Sequence, residues 1–344
     1  MTDRLEPGLG SIPTPIPARP PGTHVSDAST DDAPDLGGPW VGIAANPGSG
    51  RGKGRQRVEQ LKAELERLGL SVCIAWTLAD RARIVARSAR DPDCRCLVAA
   101  GGDGTVADLV NEGPSVPITV LPAGTENLFA RHFHLGRSPA RLASVIAEGR
   151  VVPLDLGMAA ARRFTLMAGI GFDADVVSRH HSNRVGRSGV ARPTNRSAYV
   201  DSVLRSSFSY RFPPLNLSIT DPGKEERIVG TTAFIFNLPR YALGLPFAPS
   251  ASGDDGLLDL VVFRNAGPIQ ALRYLWMVVR GVHLRHESVE HRRARRIVVS
   301  SAETVPVQLD GDPGGVVAPA DDSGAHWSVE VLPAALKVLV PSSY

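Results

Sequence analysis

From residue 40 onward the chain alternates between two hydrophobic periods. Residues 40–45 are small and apolar and end at the turn sequence Asn46-Pro47-Gly48, which is typical of a short buried strand. Valine and leucine then recur at helical spacing among charged residues as far as Leu70, which predicts an amphipathic helix that ends near Gly69. Strands at 71–76, 96–100 and 118–121 and helices at 81–89 and 128–133 continue the alternation. This pattern predicts a parallel sheet covered by helices, with ligands beyond the carboxyl ends of its strands.

Beyond about residue 150, short β-like runs follow one another without a helix between each. They lie at residues 151–156, 163–168, 215–219, 232–237, 257–263, 297–300, 305–309, 327–332 and 336–340. Residues 269–282 form the one strong helical segment. We therefore expect an α/β domain over residues 40–150 and a mainly antiparallel, β-rich domain over residues 151–342.

The amino-acid composition excludes several classes of protein. The chain has 344 residues, of which 43% are apolar, enough for one large core or two moderate ones. A formal net charge of +3 is too small for a polycation that coats nucleic acid, so no nucleic-acid partner is expected. Cys73, Cys94 and Cys96 are few and odd in number, which argues against a disulfide framework and for a reducing compartment. Cys94 and Cys96 have too few further ligands near them in the sequence for a zinc site, so we expect buried apolar thiols.

Targeting signals are not evident in the sequence. Residues 1–39 are rich in Pro, Gly, Ser, Thr and Asp and lack the apolar stretch of a secretion signal, which predicts a disordered leader. No run of about 18 uncharged apolar residues occurs, since Arg273 and Arg280 interrupt the most apolar segment. The sequence thus predicts a cytoplasmic protein without a transmembrane segment.

Three glycine-containing loops follow predicted strands. The first, residues 46–53, offers backbone N–H groups at a strand-to-helix turn, but Gly54 replaces the hydroxyl of a Walker motif, and an ordinary tight turn explains it equally well. The second, Gly-Gly-Asp-Gly-Thr at 101–105, is more specific, because such packing at a strand end is costly unless a phosphate must approach the backbone. The third, Leu-Pro-Ala-Gly-Thr-Glu-Asn at 121–127, again follows a strand.

These loops and three later motifs together resemble the diacylglycerol kinase catalytic family. The later motifs are Gly-Ile-Gly-Phe-Asp at 169–173, Asp-Asp-Gly-Leu-Leu-Asp at 254–259 and Val-Gln-Leu-Asp-Gly-Asp at 307–312. The resemblance implies an α/β fold in which a Rossmann-like domain with a parallel sheet and a mainly antiparallel β-sandwich domain form a nucleotide cleft. It also implies an ATP-dependent lipid kinase that transfers the γ-phosphate of ATP to a lipid hydroxyl at a membrane surface.

The same resemblance implies a set of nucleotide contacts. These are Asn46, Pro47, Gly48, Ser49, Gly50, Thr77, Gly102, Asp103, Gly104, Thr105, Val106, Ala107, Asp108 and Thr125. The glycine loops are also supported by their own pattern, whereas Thr77 is not. A strand-end hydroxyl that satisfies the backbone explains Thr77 equally well.

Phosphoryl transfer needs charge neutralisation, which the family supplies through Mg²⁺ and an acidic network. Asp103 resembles one member of that network. A structural magnesium site is implied at the carboxylate of Asp255 and the backbone carbonyls of Ser252 and Leu257, since oxygen ligands on a tight turn suit a hard cation. The alternative is a solvated Asp-Gly hairpin turn.

Two positions depart from the family pattern. Asp312 stands where the family usually has the glutamate that accepts the lipid hydroxyl proton; the shorter acid is still our candidate base, with Asp310 as the alternative or relay. Leu128 stands where many relatives have an aspartate of the magnesium network. Glu126 is the candidate for the missing charge, unless the network is smaller in this protein.

Membrane contact is predicted from positive charge. No acidic residue occurs between Asp175 and Asp201, and five arginines there predict a basic, mobile loop; a second basic cluster occupies residues 291–296. Either could attract an anionic leaflet, but a solvated or salt-bridged surface is an equal alternative. The family's acceptors include diacylglycerol, sphingoid base, ceramide, monoacylglycerol and polyprenol, and the sequence does not choose among them. Leu243, Leu245, Pro246 and Phe247 are candidates for a lipid pocket, although core packing explains each.

Two rival functions share part of the pattern. An NAD kinase would have the Gly-Gly-Asp-Gly-Thr loop, but the other loops favour a lipid kinase. A catalytically silent lipid- or nucleotide-binding protein would explain Leu128 and Asp312, but the presence of Asp103, Asp255 and Asp310 favours activity. A homodimer is neither supported nor excluded.

Overall fold

Two β-sheets form the frame of the protein. The computed structural model describes residues 38–49, 53–185, 203, 205–207, 209–221, 224–319 and 326–344, so the predicted leader lies outside the described residues. The strands are β1 Trp40–Ala45, β2 Ser71–Ala75, β3 Cys94–Gly101, β4 Ile118–Pro122, β5 Val151–Ala159, β6 Arg162–Phe164, β7 Met167–Gly171, β8 Leu215–Asp221, β9 Lys224–Gly230, β10 Thr232–Phe236, β11 Leu258–Phe263, β12 Val289–Ala294, β13 Arg296–Ser300, β14 Val305–Leu309, β15 Asp312–Val317 and β16 Trp327–Leu339.

The helices flank these sheets. They are α1 Lys53–Arg67, α2 Leu78–Ser88, α3 Asp103–Asn111, α4 Leu128–His132, α5 Pro139–Glu148, α6 Phe172–Val185 and α7 Pro268–Val279, with a 3-10 turn at His283–Arg285. Local sequence sets several helix ends. The Ser138 side chain accepts a hydrogen bond from the Arg141 backbone N–H at the start of α5, and Gly149, at a φ of 68°, ends it. No helix among the described residues is long and apolar enough to cross a bilayer.

The first sheet begins with the predicted parallel strands in the order β2-β1-β3-β4 and continues through β16, β13, β8 and β9. β16 runs parallel to β4 and antiparallel to β5 and β13. The C-terminal strand thus joins the parallel and antiparallel parts. Two strands were predicted at 327–332 and 336–340, but β16 is continuous: its register shifts between Leu332 and Leu336, where Ala334 has a φ of 49°.

The second sheet is antiparallel, in the order β12-β11-β10-β7-β14-β15. Alternate residues of β10 face two different cores, with Phe234 and Phe236 in one and Ala233 and Ile235 in the other. The second core lies between the two sheets and makes this half a β-sandwich. The first core extends from β1 into the sandwich half, so both regions share buried apolar packing.

Two further predictions were wrong. The single strand expected at 163–168 is divided into β6 and β7, because the backbone amides of Thr165 and Leu166 donate to the Asp310 side chain instead of to a neighbouring strand. The basic segment after Asp175, predicted to be a mobile loop, is helical as far as Val185. The remainder of that segment lies outside the described residues. α3, α5, α6, β9, β12 and β15 were not predicted.

Candidate functional site

The second and third glycine loops pack against each other at the carboxyl ends of β3 and β4. The backbone N–H of Ala123 donates to the Gly101 carbonyl at 2.8 Å. A Cβ on Gly124 would lie 2.7 Å from Cα of Gly102, so neither loop has room for a side chain at this contact. Asn127, buried in the left-handed conformation, exchanges two hydrogen bonds with the backbone of Gly124 at 2.7 and 2.8 Å.

The Asp103 carboxylate ties these loops to α4. Its two oxygens accept hydrogen bonds from the backbone amides of Leu128 and Phe129 at 3.1 and 3.0 Å. Burial raises the pKa of Asp103 above its ordinary value, the charge of Glu126 acts in the same direction, and the two amides oppose them. Glu126 is thus close enough to act electrostatically on Asp103, while the Leu128 side chain is buried in the core.

The first loop presents exposed backbone at the end of β1. Asn46, Pro47 and Gly48 are exposed, and the Gly48 amide donates to Oδ1 of Asn46 at 2.9 Å. The Ser49 hydroxyl donates to the Asn46 carbonyl, also at 2.9 Å. Gly50 lies outside the described residues.

The other residues predicted to contact the nucleotide differ in exposure and in hydrogen-bond partners. Thr77 caps α2, where its hydroxyl accepts from the Asp80 amide at 3.1 Å. Asp108 forms an ion pair with Arg81 at 3.1 Å. Gly104 and Thr125 are exposed. The side chains of three other predicted contacts, Thr105, Val106 and Ala107, are buried.

Asp312 lies across from Gly104, although 208 residues separate them in the sequence. A Cβ on Gly104 would be 3.6 Å from Oδ2 of Asp312. β15 begins at Asp312, immediately after the tight turn at Asp310 and Gly311, whose φ angles are 52° and 88°. A carboxylate of the C-terminal half thereby faces the second glycine loop.

Asp310 has a different environment from Asp312. One oxygen accepts from the amide and the hydroxyl of Thr165 at 2.8 and 2.9 Å, and the other accepts from the amides of Leu166 and Met167 at 2.8 and 3.1 Å. Burial raises the pKa of Asp310 to about 6, against the effect of these bonds. The carboxylate therefore holds the turn before Asp312 against the start of β7.

A cavity of about 260 Å³ lies on the face of the second sheet that points away from the core between the two sheets. Its wall is almost entirely apolar and comes from β10, β11, α6, α7, the segment at 242–247 and residues 203, 207 and 212. Leu243, Leu245 and Phe247 line it, so the explanation of these side chains as plain core packing was incomplete; Pro246 does not contribute. An apolar cavity of this kind fits a hydrocarbon ligand.

Asp173 is the acidic residue among those that line the cavity. Its Oδ2 accepts a hydrogen bond from Nε2 of Gln308 at 2.9 Å, and Oε1 of Gln308 accepts one from the Gly311 amide at 2.8 Å. Burial raises the pKa of Asp173 to about 6. Neither residue was assigned a role from the sequence, although both fall within the motifs at 169–173 and 307–312.

Side chains from two other parts of the chain contact the turn that was predicted to bind magnesium. Asp255 accepts from the Leu257 amide at 3.0 Å with Oδ1 and forms an ion pair with Arg293 through Oδ2. The buried Asp155 accepts from the Gly256 amide at 2.7 Å and from the Ala334 amide at 2.7 Å. Asp155 was also missed, although an acid within an apolar run is itself a sign of a buried, bonded carboxylate.

The second basic cluster is a salt-bridged surface. His291 contacts Asp259 at 2.7 Å, and Arg292 pairs with Glu226 and Glu290, each at 2.9 Å. Its charges are therefore largely compensated within the protein. No group of three or more His, Cys, Asp or Glu side chains in the described ranges is arranged to hold a metal ion.

Comparison with known proteins assigns both halves. The family model "Diacylglycerol kinase catalytic domain" matches residues 41–159, and "YegS C-terminal NAD kinase beta sandwich-like domain" matches residues 167–340. The chain belongs to the diacylglycerol kinase family. It is therefore a member of a family of lipid kinases, as the motifs predicted.

Individual diacylglycerol kinases match this chain over most of its length. A diacylglycerol kinase of Staphylococcus carnosus is 28% identical over 306 residues, which are 84% of this chain and 93% of the relative. One from Mycobacterium tuberculosis is 29% identical over 311 residues, 88% and 95% of the two chains. The crystal structure of a diacylglycerol kinase from Bacillus anthracis, at 20% identity, superposes with a TM-score of 0.63 over 88% of this chain and 98% of that one, which confirms the predicted fold class.

Proposed function

We propose that this kinase transfers the γ-phosphate of ATP to a hydroxyl group of diacylglycerol or a related lipid. One observation carries the proposal: Asp312, which faces the glycine loop at Gly104, shares a β-hairpin with Gln308, which bonds to the cavity residue Asp173. Phosphate-binding backbone and an apolar cavity are thus linked through a single hairpin. The apolar lining also favours a lipid over NAD as the acceptor.

ATP is bound, in this proposal, by the three glycine loops and the N-terminal end of α3. The exposed backbone at 46–48, the loop at 102–105 and the exposed Thr125 would contact the phosphates and ribose, and the close packing of Gly102 on Gly124 supports the role of the loops. Val106 and Ala107 are buried and would contribute only through the backbone. We assign residues 40–150 to the nucleotide and residues 151–342 to the lipid.

Asp312 is the proposed general base. It accepts the proton of the lipid hydroxyl while that oxygen forms a bond to the γ-phosphorus and the bond from the γ-phosphorus to the bridging oxygen breaks, which leaves ADP. Asp310, with both oxygens bonded to residues 165–167, is assigned a positioning role. Asp103 likewise positions α4 and contributes negative charge beside the loops.

Mg²⁺ is the proposed metal cofactor. The turn at 252–257 offers suitable oxygen donors, namely the Asp255 carboxylate and the carbonyls of Ser252 and Leu257, but Arg293 already contacts Asp255. A cation at this turn would share the Asp255 carboxylate with that guanidinium or displace the guanidinium from it. When bound beside the nucleotide, Mg²⁺ neutralises charge on the phosphate oxygens.

The acceptor end of the reaction is assigned to the cavity. Its volume suits part of a hydrocarbon chain, and Asp173 provides a carboxyl group at its wall that can hold a hydroxyl or headgroup by hydrogen bonding. The protein would then act from the cytoplasm at the membrane surface, where such lipids reside.

The direct test is transfer of labelled γ-phosphate from ATP, with Mg²⁺, to diacylglycerol, monoacylglycerol, ceramide, sphingoid base and polyprenol in mixed micelles, with NAD as a parallel acceptor. We expect a labelled product from one lipid class and its loss in Asp312→Asn. Label in NAD alone would contradict the proposal. No label in any acceptor, with retained ATP or lipid binding, would favour a silent binding protein.

A further inference from the structure

Helix α7 exposes an unusual number of large apolar side chains. Ile269 is 79% exposed, Trp276 58% and Val279 57%, and Leu272 and Leu275 are 44% and 41% exposed. Tyr274, Met277 and Val278 on the same helix are buried. The helix is therefore apolar both toward the protein and toward solvent, which a water-exposed helix normally avoids.

The exposed side chains form one continuous face. At 100° per residue, positions 269, 272, 275, 276 and 279 fall within an arc of roughly 120°, whereas the buried residues 274, 277 and 278 occupy the opposite side. Arg273 and Arg280 fall at one edge of the exposed arc, and the Arg280 guanidinium lies 5.5 Å from the centre of the Trp276 ring. We call this exposed arc the outer face of α7.

The outer face is continuous with the cavity. Leu272 and Leu275 belong to the outer face and also line the cavity. Leu243, which is 54% exposed, lines the cavity from a different segment. The apolar wall of the cavity thus reaches the protein surface beside the outer face.

The chain segment that carries this face contains positive charges only. No acidic residue occurs from Arg264 to His286, a stretch that contains four arginines. Arg273 and Arg280 are exposed at the edge of the apolar arc. A second copy of the chain docked on this face would bring like charges together, whereas an anionic lipid leaflet would be attracted.

We propose that the outer face of α7 is the membrane-docking surface of this protein. Ile269, Trp276 and Val279 enter the interfacial region of an anionic leaflet, and Arg273 and Arg280 remain at the headgroups. The mouth of the cavity then meets the leaflet, and a lipid moves from the bilayer into the cavity without crossing water. This inference rests on the proposed function for the identity of the lipid, but not for the docking itself.

The test measures binding of the full-length protein to vesicles of phosphatidylcholine with phosphatidylglycerol by cosedimentation. The variant Ile269→Ser/Val279→Ser should bind at least about tenfold more weakly, since each lost apolar side chain removes buried area at the interface. The matched control is Leu68→Ser/Val229→Ser, which removes two apolar side chains of 51% and 57% exposure from other surfaces. The control should bind as the wild type does.

A second readout locates the contact. Of the four tryptophans, Trp40 and Trp327 are buried, and Trp76 directly follows β2 in the first sheet, where the Arg55 guanidinium lies 4.9 Å from the centre of its ring. Brominated acyl chains should quench wild-type fluorescence, and Trp276→Phe should lose that quenching. Equal vesicle binding by the α7 variant and its control, or unchanged quenching in Trp276→Phe, would overturn the proposal.

Kinase assays separate this inference from the proposed function. On a short-chain diacylglycerol that dissolves as monomers, the α7 variant should turn over like the wild type, whereas on vesicles it should be slower. Vesicle binding through α7 by an enzyme that phosphorylates no lipid would leave docking intact and contradict the proposed function. Loss of self-association in the α7 variant, seen by sedimentation velocity without vesicles, would instead assign the face to a second copy of the chain and overturn docking.

Discussion

Nε2 of Gln308 donates a hydrogen bond to Oδ2 of Asp173 at 2.9 Å. Asp173 lines the apolar cavity, whereas Gln308 lies on β14, four residues before Asp312. Because Oε1 of Gln308 also accepts from the Gly311 amide, one side chain joins the cavity wall to the turn that carries the proposed base. The position of the acceptor and the position of the base are therefore coupled through neutral and charged hydrogen bonds.

Asp312→Asn tests the proposed base. The amide cannot accept the hydroxyl proton, so we expect kcat to fall by roughly 10²–10⁴-fold with little change in the KM for ATP. Labelled phosphate transfer under saturating lipid provides the measurement. Asp312→Glu, which restores the acid that the family usually has here, is the matched variant and should retain substantial activity. Wild-type turnover in Asp312→Asn would show that the base is another group.

Asp310→Ala tests the positioning role. The substitution leaves the amides of Thr165, Leu166 and Met167 without their acceptor in a buried turn, so we expect a loss of roughly 3–5 kcal/mol in the free energy of unfolding. Denaturant titration of the wild type and variant gives the value. Asp93→Ala, which removes an exposed carboxylate, should change stability by no more than about 0.5 kcal/mol. A similarly small effect of Asp310→Ala would refute the positioning role.

Asp173 should make stability depend on pH. Burial raises its pKa from 3.8 to about 6, so the folded protein holds this proton more tightly than the unfolded chain does. The resulting stabilisation is complete below the unfolded value and is lost as pH rises toward about 6. Asp173→Asn removes the titration but keeps an oxygen that can accept from Gln308.

The comparison between the two proteins isolates this group. The free energy of unfolding of Asp173→Asn, relative to the wild type, should rise by roughly 2–3 kcal/mol between about pH 3.5 and pH 7. Asp310 titrates over the same range in both proteins, so its effect cancels from the difference. A difference that does not vary with pH would mean that Asp173 has an ordinary pKa.

Gly124→Ala tests the contact between the glycine loops. The added Cβ would lie 2.7 Å from Cα of Gly102 and 2.9 Å from Oδ1 of Asn127, so the loops must separate. Overpacking of this kind costs about 1–3 kcal/mol, and we expect weaker ATP binding by calorimetry together with a lower melting temperature. Gly136→Ala adds a Cβ with no atom within 4 Å and should bind ATP normally. Equal ATP affinity in both variants would exclude this contact from the nucleotide site.

Much of the secondary structure of the N-terminal half could be predicted from the local pattern of apolar and polar residues. The strand predicted at 40–45 is β1 residue for residue, and the helix predicted to end near Gly69 ends at Arg67, with Gly69 at a φ of 76°. The pattern was weaker in the second half. Residues 163–168 have the composition of one strand. They are divided because backbone amides in the middle of this run donate hydrogen bonds to the Asp310 carboxylate. Asp310 is more than 140 positions away in the sequence, so a local pattern could not show this.

The convergence of the glycine loops could be expected from the sequence alone, because parallel strands must present their carboxyl ends at one edge of a sheet. The sequence could not distinguish the roles of the acids in its motifs. Asp310 and Asp103 bond to the backbone with both oxygens, whereas Asp312 faces Gly104, and this difference arises from contacts between distant segments. The cavity is likewise a tertiary property: an apolar residue is core or cavity wall according to whether another part of the chain fills the space beside it.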